Sequence, residues 1–193
     1  MTRFQGVVLL ALLAACGKGS TEFQWLTLGM EDLDAAQEQQ YARALAAWSA
    51  MFEALMSRVS AEIATSGPAG TVGVCNEAAP QIAAAVAAEH GLRIGRTSWK
   101  LRNPANAAPD RAADLLEDRP EQERLTRGPE GHLGVTLPVH LSTKCLVCHG
   151  NREQLAPEVL EALAAHYPED NATGFADGDL RGWFWVEVPP ASE

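Results

Sequence analysis

The segment CLVCH, residues 145–149, places two thiols and one imidazole in the spacing C-x-x-C-H. Two thiols separated by two residues can add to the two vinyl groups of one haem, and the adjacent histidine can then reach the iron. Zinc sites also use C-x-x-C pairs with histidine, but they need further ligands, and the chain has no second C-x-x-C and no H-x-x-x-H. A thioredoxin-like redox pair would require a βαβ pattern around the motif, which the sequence lacks. The motif therefore predicts one covalent haem c, attached through Cys145 and Cys148, with His149 as an iron ligand.

The start of the chain indicates that the protein is exported. In MTRFQGVVLLALLAACGKGS a single basic residue precedes an apolar run that is too short to span a bilayer. The run ends in Leu13-Ala14-Ala15-Cys16, which is typical of a bacterial lipobox, although an ordinary secretory signal with an unrelated cysteine is the alternative. We expect residues 1–15 to be removed and Cys16 to carry the lipid. The protein should then lie on the periplasmic side of the cell envelope, anchored in a membrane, with the outer membrane favoured by Gly17.

The four cysteines leave one thiol without an assigned role. If Cys16 carries lipid and the C-x-x-C-H motif carries haem, Cys75 remains alone in an oxidising compartment. Cys75 is then either a buried, inert residue or a ligand. The formal net charge of −10 argues against nucleic acid or anionic lipid as partners.

Two helices are expected before the motif. Apolar residues spaced three and four apart from Tyr41 to Ile63 predict a helix over about residues 31–65, and SGPAG at 66–70 predicts a turn. A second helix is expected over residues 71–90, with Gly91 as its stop and a kink or restart at Pro80. Its inward face would carry Cys75, Ala79, Ile82 and Val86.

Strands are expected in the second half of the chain, which makes the fold class α+β. Alternating residues predict strands in LRIGRTSWKLRN, in residues 131–141 and in residues 183–188. Helices are expected from Asp110 to about Arg124 and from Pro157 to His166. Residues 16–30 would form a lipidated tether, and residues 31–190 would form one domain.

Four separated segments resemble, in order, a family of single-haem c-type domains with a PAS-like fold. They are VCNEAAPQIA, RIGRTSWKLRNPANAAPD, CLVCHG and YPEDNATGFADGDLRGWFWV, and the resemblance extends over about residues 32–189. It implies an antiparallel sheet with N-terminal helices. It also implies that the iron is held by the histidine of C-x-x-C-H, here His149, and by a cysteine from an upstream helix, here Cys75.

Other residues compete for, or add to, these roles. His90, His132, His140 and His166 are the alternative sixth ligands, and an open iron site is a further possibility. Arg96, Lys100 and Arg102 form a basic segment in an acidic protein, and guanidinium groups pair well with carboxylates. We therefore expect these three residues to contact the haem propionates, the alternative being a solvent-facing basic strand.

Three classes of function fit these residues. An electron carrier in the envelope, working with a redox partner protein, is favoured for a lipoprotein that stands alone. A haem-based redox or gas sensor, in which Cys75 is displaced and a separate partner receives the signal, is the second. A peroxidase-like enzyme is the third, and it requires an open iron face with an acid–base residue nearby, which ligation on both faces would remove.

Overall fold

The computed structural model describes residues 25–191. Cys16 and the expected signal peptide lie outside these residues. The elements in chain order are β1 (Leu26–Leu28), α1 (Ala35–His90), β2 (Arg93–Thr97), α2 (Leu115–Asp118), β3 (Arg124–Arg127), β4 (Leu133–His140), α3 (Leu146–His149), α4 (Pro157–His166) and β5 (Leu180–Val188).

Helix α1 is a hairpin of two helical segments. Asp34 caps its start by accepting hydrogen bonds from the backbone N–H groups of residues 36 and 37. Gly67, with φ 70° and ψ −178°, breaks the helix, which confirms the turn expected at residues 66–70. The chain reverses there, because Arg43 near the start donates to the carbonyls of His90 and Gly91 at the end, both at 3.3 Å. The backbone remains helical at Pro80, so the restart expected there does not occur.

The sheet has five antiparallel strands in the order β1-β3-β4-β5-β2. Its central strands alternate, so that Leu133, Val135 and Leu137 of β4 face the same side as Phe184 and Val186 of β5. The α1 hairpin covers this side, and the two layers share one core. The residues that α1 contributes to this core are Ala44, Ala47, Met51, Leu55, Ala79 and Val86.

Smaller clusters complete the packing at one end of the sheet. Helix α4 packs on the second segment of α1 through Val159 and Leu163 against Val72. On the other side of the sheet, Trp183 packs against Leu115 of α2. None of the helices between residues 25 and 191 has the length and hydrophobicity of a bilayer-spanning segment.

The α+β class with an antiparallel sheet and N-terminal helices is confirmed, but several boundaries differ from expectation. The helix expected from Asp110 to Arg124 is wrong: a 3₁₀ turn is followed by the four-residue α2, and Arg119 in the left-handed conformation, followed by Pro120, ends it. The segment expected to be a tether ends in β1, which pairs with β3. Residues 26–28 therefore belong to the folded domain.

Candidate functional site

The CLVCH segment forms a compact turn that leaves β4 at one end of the sheet. A 3₁₀ turn over residues 143–145 leads directly into α3, which ends at His149. The backbone N–H of Gly150 closes α3 by donating to the carbonyl of Leu146 at 2.8 Å. A side chain at position 150 would bring its Cβ to 2.6 Å from that carbonyl oxygen, so the turn requires glycine.

A second loop, residues 171–175, supports the motif through backbone hydrogen bonds. Gly174 N donates to Gly150 O at 2.8 Å, and Phe175 N donates to His149 O at 3.1 Å. The Phe175 ring also packs edge-on against the His149 ring, with 6.4 Å between the centroids. The position of His149 is thus fixed by a loop that lies more than 20 residues further along the chain.

His149 is held in one orientation by its Nδ1 atom, which lies 2.7 Å from the carbonyl oxygen of Ala172. A carbonyl can only accept, so Nδ1 carries the proton and Nε2 retains a free lone pair. Burial, followed by the nearby Arg102 and Arg181, lowers the pKa of His149 to about 3. The imidazole is therefore neutral at physiological pH, in the form that binds metals.

Arg102 connects the two loops and the sheet. Its guanidinium forms an ion pair with Asp170 at 3.1 Å, and both side chains are almost fully buried. The same guanidinium donates to the carbonyl of Cys148 at 2.6 Å and to that of Ala172 at 3.2 Å. Arg102 thus serves protein acceptors through Nε and Nη2, whereas its Nη1 donates to no protein acceptor within residues 25–191, so its expected contact with a propionate stays a prediction.

Cys75 lies on the predicted inward face of α1, one turn after the buried Val72 and one turn before the buried Ala79. Its thiol is half-buried and free. Burial raises the pKa of Cys75, and the positive charges of Arg96 and Arg102 act in the opposite direction. The same two guanidinium groups lower the pKa of His149. Cys75 and His149, which lie 74 positions apart in the sequence, therefore belong to one charged neighbourhood.

Cys148 extends this neighbourhood to the C-x-x-C pair. Its sulfur lies 4.0 Å from the carbonyl of Pro68, near the turn of the α1 hairpin. Burial raises the pKa of Cys148, with Cys75 and Cys145 contributing in the same direction. The hairpin that carries Cys75 therefore lies over the motif.

Arg96 differs from the other cations of its segment. It lies opposite Phe184 in the sheet register, on the side that α1 covers, since Phe184 belongs to the core beneath α1. Burial lowers its pKa, and Cys75 and Tyr167 act to raise it. Among residues 25–191 no carboxylate lies within ion-pair distance of Arg96.

Lys100 lies next to this group, but its ammonium has partners of its own. Its ammonium donates to the carbonyl of Thr173 at 3.2 Å and lies over the Phe175 ring at 4.8 Å. Arg181 of β5 lies over the same ring at 5.5 Å. Burial, followed by the positive charges of Arg102 and Arg96, lowers the pKa of Arg181 to about 10. Arg181 thus joins the cluster in place of Lys100.

Two of the four alternative histidines lie far from the motif, and the other two are nearer but exposed. His90 ends α1 and His132 precedes β4, and both positions are at the end of the sheet where β2 begins. The motif follows the other end of β4, about 23 Å away at 3.3 Å per residue. His140 and His166 are exposed, and the His166 ring lies against Gly73 of α1.

The sequence reasoning missed the roles of Arg181, Ala172 and Asp170 at this site. A backbone carbonyl carries no sequence signal, but Arg181, the basic residue in DLRG, lies near the strand expected at residues 183–188 and could have been included among the candidates. Within residues 25–191, no three His, Cys, Asp or Glu side chains converge as ligands of one metal ion.

Comparisons with known proteins agree with this architecture. The profile of the family described as Tll0287-like matches residues 30–189. A crystal structure of the cyanobacterial heme-protein Tll0287 superposes with a TM-score of 0.60 at 24% identity, covering 80% of this chain and 98% of that one. This likeness establishes the fold. The comparison with curated proteins gave no match.

Proposed function

This chain belongs to the Tll0287-like family, and from that premise we propose that it binds one haem c and has a redox role in the cell envelope. The observation that carries the proposal is the state of His149. The C-x-x-C-H motif presents its imidazole half-buried, neutral and anchored through Nδ1. This is the arrangement that metal-binding histidines require, because the hydrogen bond at one nitrogen fixes the orientation of the other.

Cys145 and Cys148 are proposed as the points of covalent attachment. Both thiols are free and half-buried, so neither is used in a disulfide within residues 25–191. Haem, when bound, would supply one-electron redox chemistry, and the protein would hold its iron through side chains of this chain.

Cys75 is proposed as the second side chain that would hold the iron, together with His149. Two observations support this choice over the histidines. First, the positive charges of Arg96 and Arg102 act on the pKa of both Cys75 and His149. Second, Cys75 lies on the α1 hairpin above Cys148. Burial favours the neutral thiol in the protein alone, so binding to iron would release the thiol proton. A thiolate ligand stabilises ferric iron and would give a low reduction potential.

The charge balance around His149 supports the presence of an anionic ligand. Arg96, Arg102 and Arg181 act together on His149, and Asp170 is the carboxylate paired within this group. Buried cations are costly without counterions. The two propionates of haem would supply the missing negative charge, with Arg96 and Arg181 as the proposed contacts.

The proposed role is electron transfer, and sensing is the second candidate. Sensing is favoured by one observation: burial favours the neutral form of the Cys75 thiol, which would weaken its bond to the iron. The peroxidase-like alternative has no such support. Export as a lipoprotein anchored through Cys16, with a separate redox partner, completes the proposal and rests on the N-terminal sequence alone.

Covalent attachment can be tested on a denaturing gel. Haem of the wild-type protein should remain with the chain and resist acidified acetone, whereas Cys145→Ser combined with Cys148→Ser should lose it. Cys75→Ser is the matched control, because it removes one thiol of similar burial and should keep the haem bound to the chain. Haem that extracts freely from the wild-type protein would refute the c-type assignment.

A further inference from the structure

A surface cavity lies beside Phe175, the residue whose ring packs against His149. It has a volume of about 280 Å³ and includes Trp99, Lys100, Arg119, Glu121, Phe175 and Asp179 in its lining. None of the three described cysteines lines it, so it is distinct from the neighbourhood of Cys75 and the motif.

The charged side chains of this cavity are not paired with one another. Two cations and two carboxylates line it, yet none of the ion pairs formed within residues 25–191 joins them. Arg119 uses only its Nε, which donates to the carbonyl of Leu116, so the two terminal amino groups remain available. Asp179 accepts one backbone N–H through Oδ2 and keeps its other oxygen.

Aromatic rings form the apolar part of the cavity. Trp99 and Phe175 meet edge to face, with their centroids 6.2 Å apart. The Arg119 guanidinium lies 5.0 Å from the centre of the Trp99 ring. A cavity with free cations, free carboxylates and an aromatic wall is complementary to a small molecule that carries both charges and an apolar group.

Arg119 is held at the cavity in an unfavourable backbone conformation. Its φ of 47° lies in the left-handed region, which glycine and asparagine normally occupy at the end of a helix. The next residue, Pro120, accepts a hydrogen bond from Trp183 Nε1 at 2.8 Å, which fixes the turn. Strain of this kind persists where the surrounding structure imposes it, here at the end of α2, and it holds the Arg119 side chain at the cavity.

We propose that this cavity binds a free α-amino acid with an apolar or aromatic side chain. The carboxylate of the ligand would accept from Arg119 and Lys100, its ammonium would donate to Glu121 and Asp179, and its side chain would pack on Trp99. The cavity volume suits one such molecule, which is well below drug size. Gly174 and Phe175, which line the cavity, also hold the backbone of Gly150 and His149. Occupancy would therefore stabilise the loop that fixes His149.

Isothermal titration calorimetry of the whole protein tests the proposal. The probes are leucine, phenylalanine and tryptophan, each compared with its N-acetyl derivative, which lacks the ammonium, and its amide, which lacks the carboxylate. At least one free amino acid should bind saturably, and both derivatives should bind about tenfold more weakly or worse. Absence of heat with every amino acid at millimolar concentration, or equal binding of the derivatives, would overturn the proposal.

Variants locate the binding. Arg119→Gln and, as an independent change, Glu121→Gln should each weaken binding about tenfold. Arg58→Gln, which removes a surface arginine on α1 that pairs with Glu62, is the matched control and should bind normally. Equal affinities in all three variants would place any binding elsewhere and refute the site. The heat of amino-acid binding is measured independently of haem attachment. A failure to bind amino acids would therefore not contradict the proposed haem binding. A failure to bind haem would likewise not contradict amino-acid binding in this cavity.

Discussion

Arg102 gives the strongest stability prediction, because its ion pair with Asp170 is buried. The exposed fractions of the two side chains are 11% and 3%, and Arg102 also donates to the carbonyls of Cys148 and Ala172. Arg102→Ala would leave Asp170 charged and buried with only the backbone N–H of Ala172 as a donor. Removing one partner of such a pair costs about 3–5 kcal/mol. For a domain of this size, each kcal/mol lowers the melting temperature by about 2–4 °C.

Thermal and urea unfolding of three variants measure this cost. Arg102→Ala should lower the melting temperature by about 6–20 °C. Arg102→Met combined with Asp170→Leu should recover much of the loss, since no buried charge remains. Arg93→Ala is the matched control: Arg93 pairs with Glu187 at 3.0 Å, but its side chain is 66% exposed, and the loss should stay below about 1 kcal/mol. If Arg102→Ala and Arg93→Ala lower the free energy of unfolding by the same amount, the buried ion pair of Arg102 with Asp170 does not stabilise the fold more than an exposed pair does.

Three further predictions concern the turn, the core and the anchor. Gly150→Ala should lower the melting temperature, because its Cβ would lie 2.6 Å from the Leu146 carbonyl oxygen; an unchanged melting temperature would contradict the tight turn. Gln40→Leu should cost about 1–3 kcal/mol in urea unfolding, since the buried amide donates to the carbonyls of Gly131 and Val188, whereas Gln39→Leu, at the exposed neighbouring position, should cost less. Cys16→Ala should release the protein from membranes or leave it unprocessed, and a mature N-terminus mapped elsewhere would exclude lipidation at that residue.

The long elements of the fold were predictable because their apolar residues repeat. The stripe from Tyr41 to Ile63 and the turn at Gly67 indicated the α1 hairpin, and alternation indicated β2, β4 and β5. Strands β1 and β3, of 3 and 4 residues, are too short to show a period and depend on pairing with each other and with β4. The helix expected over Asp110–Arg124 does not form, because Arg119 adopts the left-handed conformation and Pro120 cannot continue a helix.

The candidate site was predictable where chemistry follows local spacing. The motif residues are adjacent in sequence, and Cys75 was isolated by counting thiols before the family resemblance gave it a role. The residues around His149 could not be predicted from local spacing. Ala172, Asp170 and Arg181 are distant from His149 in sequence, and only the folding of a loop and of a bulged strand pair brings them close to it. Of the three basic residues expected to contact propionates, the structure leaves Arg96 available and gives Lys100 and Arg102 protein partners.

X-ray absorption at the iron of the ferric protein tests ligation by Cys75 and His149 most directly. The wild-type protein should show one sulfur at about 2.3 Å, the usual length of a metal–thiolate bond, together with nitrogen ligands at about 2.0 Å. Cys75→Ala should lose the sulfur while its haem stays covalently bound to the chain. A wild-type iron surrounded only by nitrogen, or a sulfur that persists in Cys75→Ala, would contradict the proposed pair of axial ligands.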